Sequence, residues 1–206
     1  MQQLNLLDGD GLPEGLTYRP DLLTPEQEIA LIGYVAQLPF APFQFHGFEG
    51  KRRTISFGWQ YRFDGSGLAE AAPMPDWLLE VRDLAAAFSG LEAAALAHAL
   101  VIEYEAGAGI GWHRDRPDFG EVIGISLASQ APLRFRLKQD PGGAGGEKRA
   151  GEGKSGWRRL TLAAAPRSAY HLAGPAREQW EHSILAVSSL RYSITFRTLR
   201  RKATAS

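Results

Sequence analysis

Residues 111–117 read GWHRDRP, which places a histidine and an aspartate two positions apart, at His113 and Asp115. In an extended strand two such side chains point to the same side, because side chains alternate with period two. A further histidine, His182, follows in the segment WEHSI. Two histidines and one carboxylate can bind Fe(II) and leave positions open for a cosubstrate and dioxygen. The spacing alone leaves open that His113 and Asp115 are an ordinary pair at a strand end.

A strand that carries arginines follows the second histidine, in the segment RYSITFR. Side-chain alternation places Arg191, Ser193 and Arg197 on one face of this strand and aromatic or aliphatic residues on the other. A guanidinium can bind a carboxylate through two parallel hydrogen bonds. Together with the two histidines and the aspartate, this strand predicts a metal centre beside a carboxylate-bearing cosubstrate.

Composition restricts the metal chemistry and the compartment. The chain has 206 residues and no cysteine, so any metal must be held by histidines and carboxylates, and thiol catalysis is excluded. No apolar run reaches the roughly 18 residues that span a bilayer, and the first residues lack the features of a secretory signal. We therefore expect a cytoplasmic protein without membrane association. A monomer is expected as well, although composition does not decide it.

Charge is unevenly distributed although the chain as a whole is neutral. Residues 1–50 contain seven acidic side chains against the single basic Arg19, a net charge of −6, so the remainder carries +6. This asymmetry leaves room for a basic surface that contacts a polyanion, or for uneven surface charge without a partner.

The elements that position these residues are predicted to be helices first and strands afterwards. Capping and apolar spacing predict helices over about 24–38 and 75–88, and an alanine-rich helix is expected over 91–98. Residues 1–20 are expected to be irregular. From residue 99 onward, short alternating runs predict strands: LVIEYEAG, VIGISLAS, LRFRLKQ, WRRLTLAAA, SAYHLAG and RYSITFRTL.

This order predicts one domain over residues 1–206, of the α+β class and mostly β. Its core over 99–200 is expected to be a sandwich or jelly roll, with the helices of residues 1–98 packed outside. Residues 139–156 are almost entirely glycine and charged side chains, which predicts a flexible loop because they cannot bury apolar surface.

Four parts of the chain resemble the catalytic core of the AlkB family of Fe(II)- and 2-oxoglutarate-dependent dioxygenases. They are YEAGAGIGWHRD, GISLAS with LRFR, WEHSI and RYSITFR, and the resemblance extends over about residues 104–199. It implies a double-stranded β-helix, which is a distorted jelly roll with iron inside its mouth. It also implies that the iron is bound by His113, Asp115 and His182.

The resemblance further implies how 2-oxoglutarate is held. Arg191 is expected to pair with its far carboxylate, Tyr104 to donate a hydrogen bond to it, and Arg197 to lie between cosubstrate and substrate. Ser193 and Ile102 occupy positions where relatives often carry asparagine. The main anchor of the cosubstrate, the arginine, is unaffected by these two departures.

Upstream, residues 45–63 (FHGFEGKRRTISFGWQYRF) are similar to the nucleotide-recognition lid of DNA-repair members, in which an aromatic ring stacks on a flipped base. By position, Tyr61 and Phe63 are the expected lid residues, with Trp59 behind them. Phe45 belongs to an aromatic run that either probes a duplex or simply packs in the core.

Basic and acidic neighbours complete the set of candidate substrate residues. Lys51, Arg52 and Arg53 form a cluster beside the aromatic run, either in contact with phosphate or merely solvated. Relatives that act on methylated bases place an acidic residue shortly after the triad aspartate. Here Pro117 intervenes and Asp118 follows it, so Asp118 is the candidate for that contact.

The predicted function is oxidative dealkylation of alkylated nucleobases in DNA or RNA. It uses Fe(II), 2-oxoglutarate and dioxygen, and it releases the alkyl group as an aldehyde together with succinate and carbon dioxide. Two alternatives stay open. One is a protein side-chain demethylase or hydroxylase of the same fold, and the other is a nucleic-acid-binding module without catalysis.

The histidines give further expectations. A neutral imidazole is needed at each ligand position, so activity is expected to fall below about pH 6, near the ordinary imidazole pKa. His171 is expected to be a packed strand residue. His46 and His98 have no partner motif and are expected at the surface or at an interface.

Overall fold

The computed structural model describes residues 11–45, 48–62, 66–139 and 156–200, and the side chains of 43–45 and 48–50 lie outside this description. Within these ranges the chain forms three α-helices, one short 3₁₀ helix and thirteen strands. In chain order they are β1 Leu16–Arg19, α1 Pro25–Val35, β2 Ala41–Phe45, β3 Phe48–Phe57, β4 Trp59–Arg62, β5 Gly67–Glu70, α2 Asp76–Ser89, the 3₁₀ helix Ala93–Ala95, β6 His98–Tyr104, β7 Ile110–His113, β8 Phe119–Leu127, β9 Ala131–Lys138, β10 Trp157–Ala164, β11 Ala169–Leu172, α3 Gly174–Glu178, β12 Glu181–Ile184 and β13 Arg191–Leu199.

Two antiparallel sheets face each other and form the core. The major sheet has the order β1-β11-β8-β13-β6-β3-β2, and the minor sheet has the order β10-β9-β12-β7. Apolar side chains from both sheets pack in one cluster between them, for example Ile102 and Val122 against Leu133 and Phe135. The protein is thus mostly β, with the two facing sheets of a jelly roll, which confirms the predicted fold class.

Strand β13 shows how this arrangement separates core from site. Tyr192, Ile194 and Phe196 point outward into a second apolar cluster with α1 and α2, whose Val35 and Leu78 are fully buried. The alternate residues of β13 point into the space between the sheets, as the alternation predicted. The helices therefore cover the outer face of the major sheet and leave the inner face of β13 for polar groups.

The first two helices begin and end for local reasons. The Thr24 hydroxyl accepts a hydrogen bond from the Gln27 backbone while the Gln27 side chain accepts one from the Thr24 backbone, which is the predicted capping box. Helix α1 ends at Val35, three residues earlier than expected. Helix α2 ends at Ser89 and is capped by Gly90, whose φ of 74° is the left-handed conformation that closes many helices.

Three predictions about the first half of the chain are wrong. The alanine-rich stretch 91–98 forms only the 3₁₀ turn Ala93–Ala95, because strand β6 already begins at His98 and pairs with β3 and β13. Residues 16–19, expected to be irregular, pair with β11. The helices do not precede all strands, since β1 to β5 lie before β6, and pairing with distant strands outweighs their weak local signal.

Two further sequence expectations concern the periphery. Of the predicted flexible loop 139–156, residues 140–155 lie outside the described residues. In the part of the chain that the structure describes, no helix is long and apolar enough to cross a membrane.

Candidate metal centre

Three side chains converge at the mouth between the two sheets. Strands β7 and β12 are neighbours, and His113 lies directly opposite His182 in their register. Asp115 follows two residues beyond His113, and the candidate ligand atoms of the three residues all lie within 4.8 Å of one another. The His113 Nδ1 is 2.9 Å from the carbonyl oxygen of Gly111, which leaves Nε2 for a metal. The structure thus brings together the three residues that the sequence singled out.

The charge of Asp115 is balanced by an arginine from β13. The Arg197 Nε and Nη2 donate to Asp115 Oδ1 over 2.9 Å and 2.8 Å, and the His182 Nε2 is 3.4 Å from Oδ2. Although burial alone raises the pKa of Asp115, Arg197 and the two nearby histidines hold it well below its usual range. The side chain, 7% exposed, therefore remains a carboxylate, which is the form that binds a metal.

The imidazole of His182 is held in its neutral form. Burial, followed by the proximity of His113, lowers the pKa of His182 to about 3. A neutral imidazole is the form that ligates a metal. The predicted loss of activity below about pH 6 therefore does not follow from His182, since its protonation is displaced to more acidic solutions.

His98 belongs to the surroundings of the site, contrary to the expectation that it lies at the surface or at an interface. It is buried on β6, its ring stacks on Phe119 with centroids 4.6 Å apart, and its Nδ1 is 3.5 Å from the Arg197 Nη1. Burial, and then the charge of Arg197, lower the pKa of His98 well below its ordinary value. The signal that identifies it is register, because His98 is the β6 residue opposite Arg197.

These buried histidines predict an acid-sensitive fold in the metal-free protein. His98 and His182 stay neutral in the folded state but bind protons near pH 6.5 when unfolded, so stability is present above pH 6.5 and is lost as the pH falls below it. Between pH 7 and pH 5 His182, whose pKa falls to about 3, should cost about 2 kcal/mol of the free energy of unfolding, and His98 should add to this loss in the same direction. Urea denaturation across this range measures it.

The control for this prediction is His98→Leu, judged by its pH slope and not by its absolute stability. This variant should show a smaller slope between pH 7 and pH 5 than wild type, since one of the two histidines is gone. A wild-type free energy of unfolding that stays constant over this interval would show that the unfolded and folded chains bind equal numbers of protons.

A buried arginine lies deeper in the same space. Arg191 is 1% exposed and lies opposite Tyr104 in the register of β13 and β6, with its guanidinium carbon 4.8 Å from the centre of the Tyr104 ring. Its Nε donates to the Ser126 hydroxyl over 3.2 Å, and its Nη1 is buried without a hydrogen-bond partner among the described residues. A buried cationic donor without an acceptor is costly, which indicates that a ligand supplies one.

Other residues of the inner face form the walls of this pocket. Ser193 and Ile102, at the two positions where relatives often carry asparagine, are buried and lie directly opposite each other. Both positions are therefore closed to solvent. Tyr170, which the sequence reasoning missed, is also buried there, and desolvation raises its pKa to about 12. Gly124 makes room for it, because a Cβ at this position would lie 2.2 Å from the Tyr170 ring.

The predicted lid is in contact with the loop that carries Asp115. Strands β4 and β5 form a separate two-stranded hairpin. Tyr61 on β4 accepts a hydrogen bond from Arg116, whose guanidinium carbon lies 3.5 Å from the centre of the Tyr61 ring. The Arg116 Nε also lies 3.6 Å from Asp118 Oδ2. The hairpin therefore places the aromatic ring of Tyr61 against Arg116, the residue that follows the candidate iron ligand Asp115 in the sequence.

The basic cluster is divided between the two faces of β3. The Arg53 Nε donates to Glu103 over 2.6 Å, and Glu103 lies opposite Tyr192 on the helix-covered face, so the structure does not bring Arg53 to the site. Arg52, on the other face, reaches the Gly109 carbonyl, 3.5 Å away, and Lys51 is exposed.

The remaining candidates are only partly described. Trp59 is half-buried on β4, opposite Glu70, while Phe63 and the side chain of Phe45 lie outside the described residues. His171 is a packed strand residue as predicted, with its Nε2 2.6 Å from a Glu121 carboxylate oxygen.

Comparison with protein families decides which kind of metal centre this is. The family model of the 2OG-Fe(II) oxygenase superfamily matches residues 15–197, nearly the whole chain. The protein belongs to the 2OG-Fe(II) oxygenase superfamily. Its cofactor and cosubstrates are therefore Fe(II), 2-oxoglutarate and dioxygen. Two observations fit them: the His-Asp-His donor set suits Fe(II), and the buried Nη1 of Arg191 suits a carboxylate.

Several solved structures share this fold. OsALKBH1 matches with a TM-score of 0.63 at 14% identity, over 89% of this chain and 96% of that one. A Pseudomonas putida prolyl-4-hydroxylase gives 0.57 at 16% identity, over 91% and 94%. A Burkholderia pseudomallei oxidoreductase of the 2OG-Fe(II) oxygenase family gives 0.59 at 15%, over 91% and 86%. No curated protein matches the sequence. At these identities the structural matches establish the fold of this superfamily member and not its substrate.

Proposed function

We propose that this oxygenase removes alkyl groups from nucleobases of DNA or RNA by oxidation. The observation that carries the proposal is the aromatic hairpin that contacts the Asp115 loop through Tyr61 and Arg116. An aromatic ring beside the metal site offers a surface on which an extruded base can stack. The AlkB-like motifs of the sequence support the same substrate class.

The residues of the pocket have separate roles in this proposal. His113, Asp115 and His182 hold Fe(II), and Arg197 keeps Asp115 ionised and oriented. Arg191 binds the far carboxylate of 2-oxoglutarate, with Tyr104 beside it as a hydrogen-bond donor and with Ser193 on the same strand face. When bound, iron and 2-oxoglutarate supply the oxidation by dioxygen, which also yields succinate and carbon dioxide.

The role of the protein side chains is to position the substrate, while the iron and the cosubstrate supply the oxidation. In this proposal Tyr61 and Phe63, with Trp59 behind them, hold the base. Lys51 and Arg52 contact the strand, and Asp118 is the candidate for a contact with the base edge. Phe45 remains a candidate wedge. The hydroxylated alkyl carbon then separates from the base nitrogen as an aldehyde. We expect the active protein to be a cytoplasmic monomer.

A substrate panel tests the proposal. Protein loaded with Fe(II) and 2-oxoglutarate is incubated with single- and double-stranded DNA and RNA that carry methyl or etheno adducts, and with methylated or proline-containing peptides. The proposal expects one alkylated strand to lose its adduct by mass, with an equal amount of succinate formed. Unmodified strands of the same sequence are the control.

Two other outcomes identify the alternatives. Succinate that forms with peptides and not with any oligonucleotide would make the protein a side-chain hydroxylase or demethylase. Oligonucleotide binding that persists without iron, accompanied by no turnover on any substrate, would indicate a binding module.

A further inference from the structure

An open cavity of about 500 Å³ adjoins the metal site on the side of α3. It lies between the loop after β7, helix α3 and the end of β13. Four of its lining residues are arginines, Arg114, Arg116, Arg177 and Arg200, and two are acidic, Asp115 and Glu178. The sequence motif HRDRP therefore supplies both a candidate iron ligand and two of the cations of this cavity.

One of the arginines fixes the shape of the cavity. Arg177 is buried, and its Nε and Nη2 donate to the carbonyl oxygens of Gly120, Arg116 and Phe119 over 2.6 to 2.8 Å. These bonds join α3 to the loop that follows Asp115 and to the start of β8. The backbone that carries Arg116 is therefore held in place by hydrogen bonds.

The acidic residues do not neutralise the cavity. Asp115 is already paired with Arg197, and it is a candidate metal ligand. Glu178 pairs with Arg200 over 2.8 Å, but the two side chains are 57% and 43% exposed, and exposed pairs contribute little. Among the described residues, no acidic side chain lies within ion-pair distance of Arg114. Arg116 has the partly exposed Asp118 as a neighbour, with Nε 3.6 Å from Oδ2, but the four arginines still outnumber the acidic side chains Asp115, Asp118 and Glu178. A net positive cavity thus faces solvent beside the metal site.

We propose that this cavity binds a phosphate group of the substrate strand, next to the alkylated nucleotide. The proposal rests on the proposed function and adds the position of the backbone to it. Guanidinium groups match phosphate oxygens in pairs, which favours arginine over lysine at such sites. Arg116 links the two parts of the substrate, because it lines the cavity and also stacks on Tyr61 of the hairpin. The base is then held beneath the hairpin while its phosphate lies on the α3 side of Asp115.

Binding without turnover tests the phosphate site. The affinity of the Fe(II)-free protein for a fluorescent, unmodified single-stranded DNA is measured by anisotropy at several salt concentrations. Wild type is compared with the double variant Arg114→Gln/Arg200→Gln and with Arg19→Gln, an exposed arginine on the edge strand β1 that does not line the cavity. The double variant should bind about tenfold more weakly, and its slope of log affinity against log salt should be smaller by about 0.7, the loss of one phosphate contact.

A second arm separates a strand phosphate from free phosphate. Inorganic phosphate at equal ionic strength should compete with the oligonucleotide only weakly for wild type, because a single ion lacks the rest of the strand. Competition by millimolar inorganic phosphate that the double variant abolishes would reassign the cavity to free phosphate. An unchanged salt slope in the double variant, or an equal loss in Arg19→Gln, would overturn the site.

The outcome is separable from that of the proposed function. Dealkylation of a strand together with an unchanged salt slope in the double variant would remove only the phosphate site. If the double variant has a smaller salt slope than wild type but no strand is dealkylated, the phosphate site is supported and the proposed reaction is contradicted. Absence of salt-dependent binding by wild type contradicts the phosphate site directly.

Discussion

Replacing Asp115 with alanine is expected to abolish turnover and to destabilise the fold at the same time. The substitution removes one of the three candidate iron ligands, so 2-oxoglutarate turnover should fall by at least about 100-fold, since even residues that merely orient metal ligands cost 10–100-fold when mutated. It also leaves the buried guanidinium of Arg197 without its carboxylate partner. Breaking a buried ion pair from one side typically costs about 3–5 kcal/mol.

Two measurements on this variant separate the effects. Anaerobic calorimetry with Fe(II) reports metal binding, and urea denaturation of the metal-free protein reports stability. The matched control is Asp118→Ala in the same loop, whose pair with Arg116 is partly exposed and should contribute less than about 1 kcal/mol. Asp118→Ala should bind Fe(II) as wild type does. Equal Fe(II) affinity in Asp115→Ala and wild type would remove Asp115 from the metal site.

Replacing Arg191 with methionine is expected to separate activity from stability. The buried Nη1 has no acceptor among the described residues, and the side chain is 1% exposed. A methionine of similar length removes an uncompensated buried charge, so the free energy of unfolding should stay unchanged or rise by about 1 kcal/mol. Affinity for 2-oxoglutarate should fall about 100-fold, because its far carboxylate loses a charged, hydrogen-bonded partner.

The control for this variant is Arg191→Lys, which keeps the charge but not the planar fork. It should retain part of the affinity for 2-oxoglutarate, with a Kd between those of wild type and Arg191→Met. A structural role would give the opposite pattern. Arg191→Met would then lose several kcal/mol of stability and still bind 2-oxoglutarate normally.

Comparing the two variants is informative because Asp115 is a buried anion and Arg191 a buried cation, and both lie near the same metal site. Asp115 is satisfied within the protein by Arg197, so its loss harms the folded state as well as the chemistry. Among the described residues Arg191 has no carboxylate partner, and its Nε donates to the neutral Ser126 hydroxyl, so its loss should harm the chemistry alone. Buried charge that is poorly satisfied within the fold is the structural mark of a ligand site.

The metal ligands were predictable from the sequence because the segments around His113, Asp115 and His182 resemble the AlkB motifs. The inner face of β13 followed from the period of a strand, whereas Asp115 lies two residues beyond the end of β7. What alternation does not provide is register between distant strands. The position of His98 beside Arg197 depends on how β6 pairs with β13, so His98 was placed wrongly.

The N-terminal half was harder for a different reason. Strand β3 contains the charged run Lys51-Arg52-Arg53, which lacks clean apolar alternation, and it becomes a strand by pairing with β6. Alanine favours a helix locally, yet the stretch at 91–98 is shortened by the start of β6. The contact of Tyr61 with Arg116 joins residues 55 positions apart and has no sequence signal of its own.

The iron and cosubstrate site can be tested most directly by anomalous diffraction from crystals grown anaerobically with Mn(II) in place of Fe(II) and with 2-oxoglutarate. The predicted result is one anomalous peak bonded to the imidazoles of His113 and His182 and to the carboxylate of Asp115. The far carboxylate of 2-oxoglutarate is predicted to accept a hydrogen bond from the Arg191 Nη1. A peak elsewhere, or 2-oxoglutarate bound without contact to Arg191, would contradict the assignment.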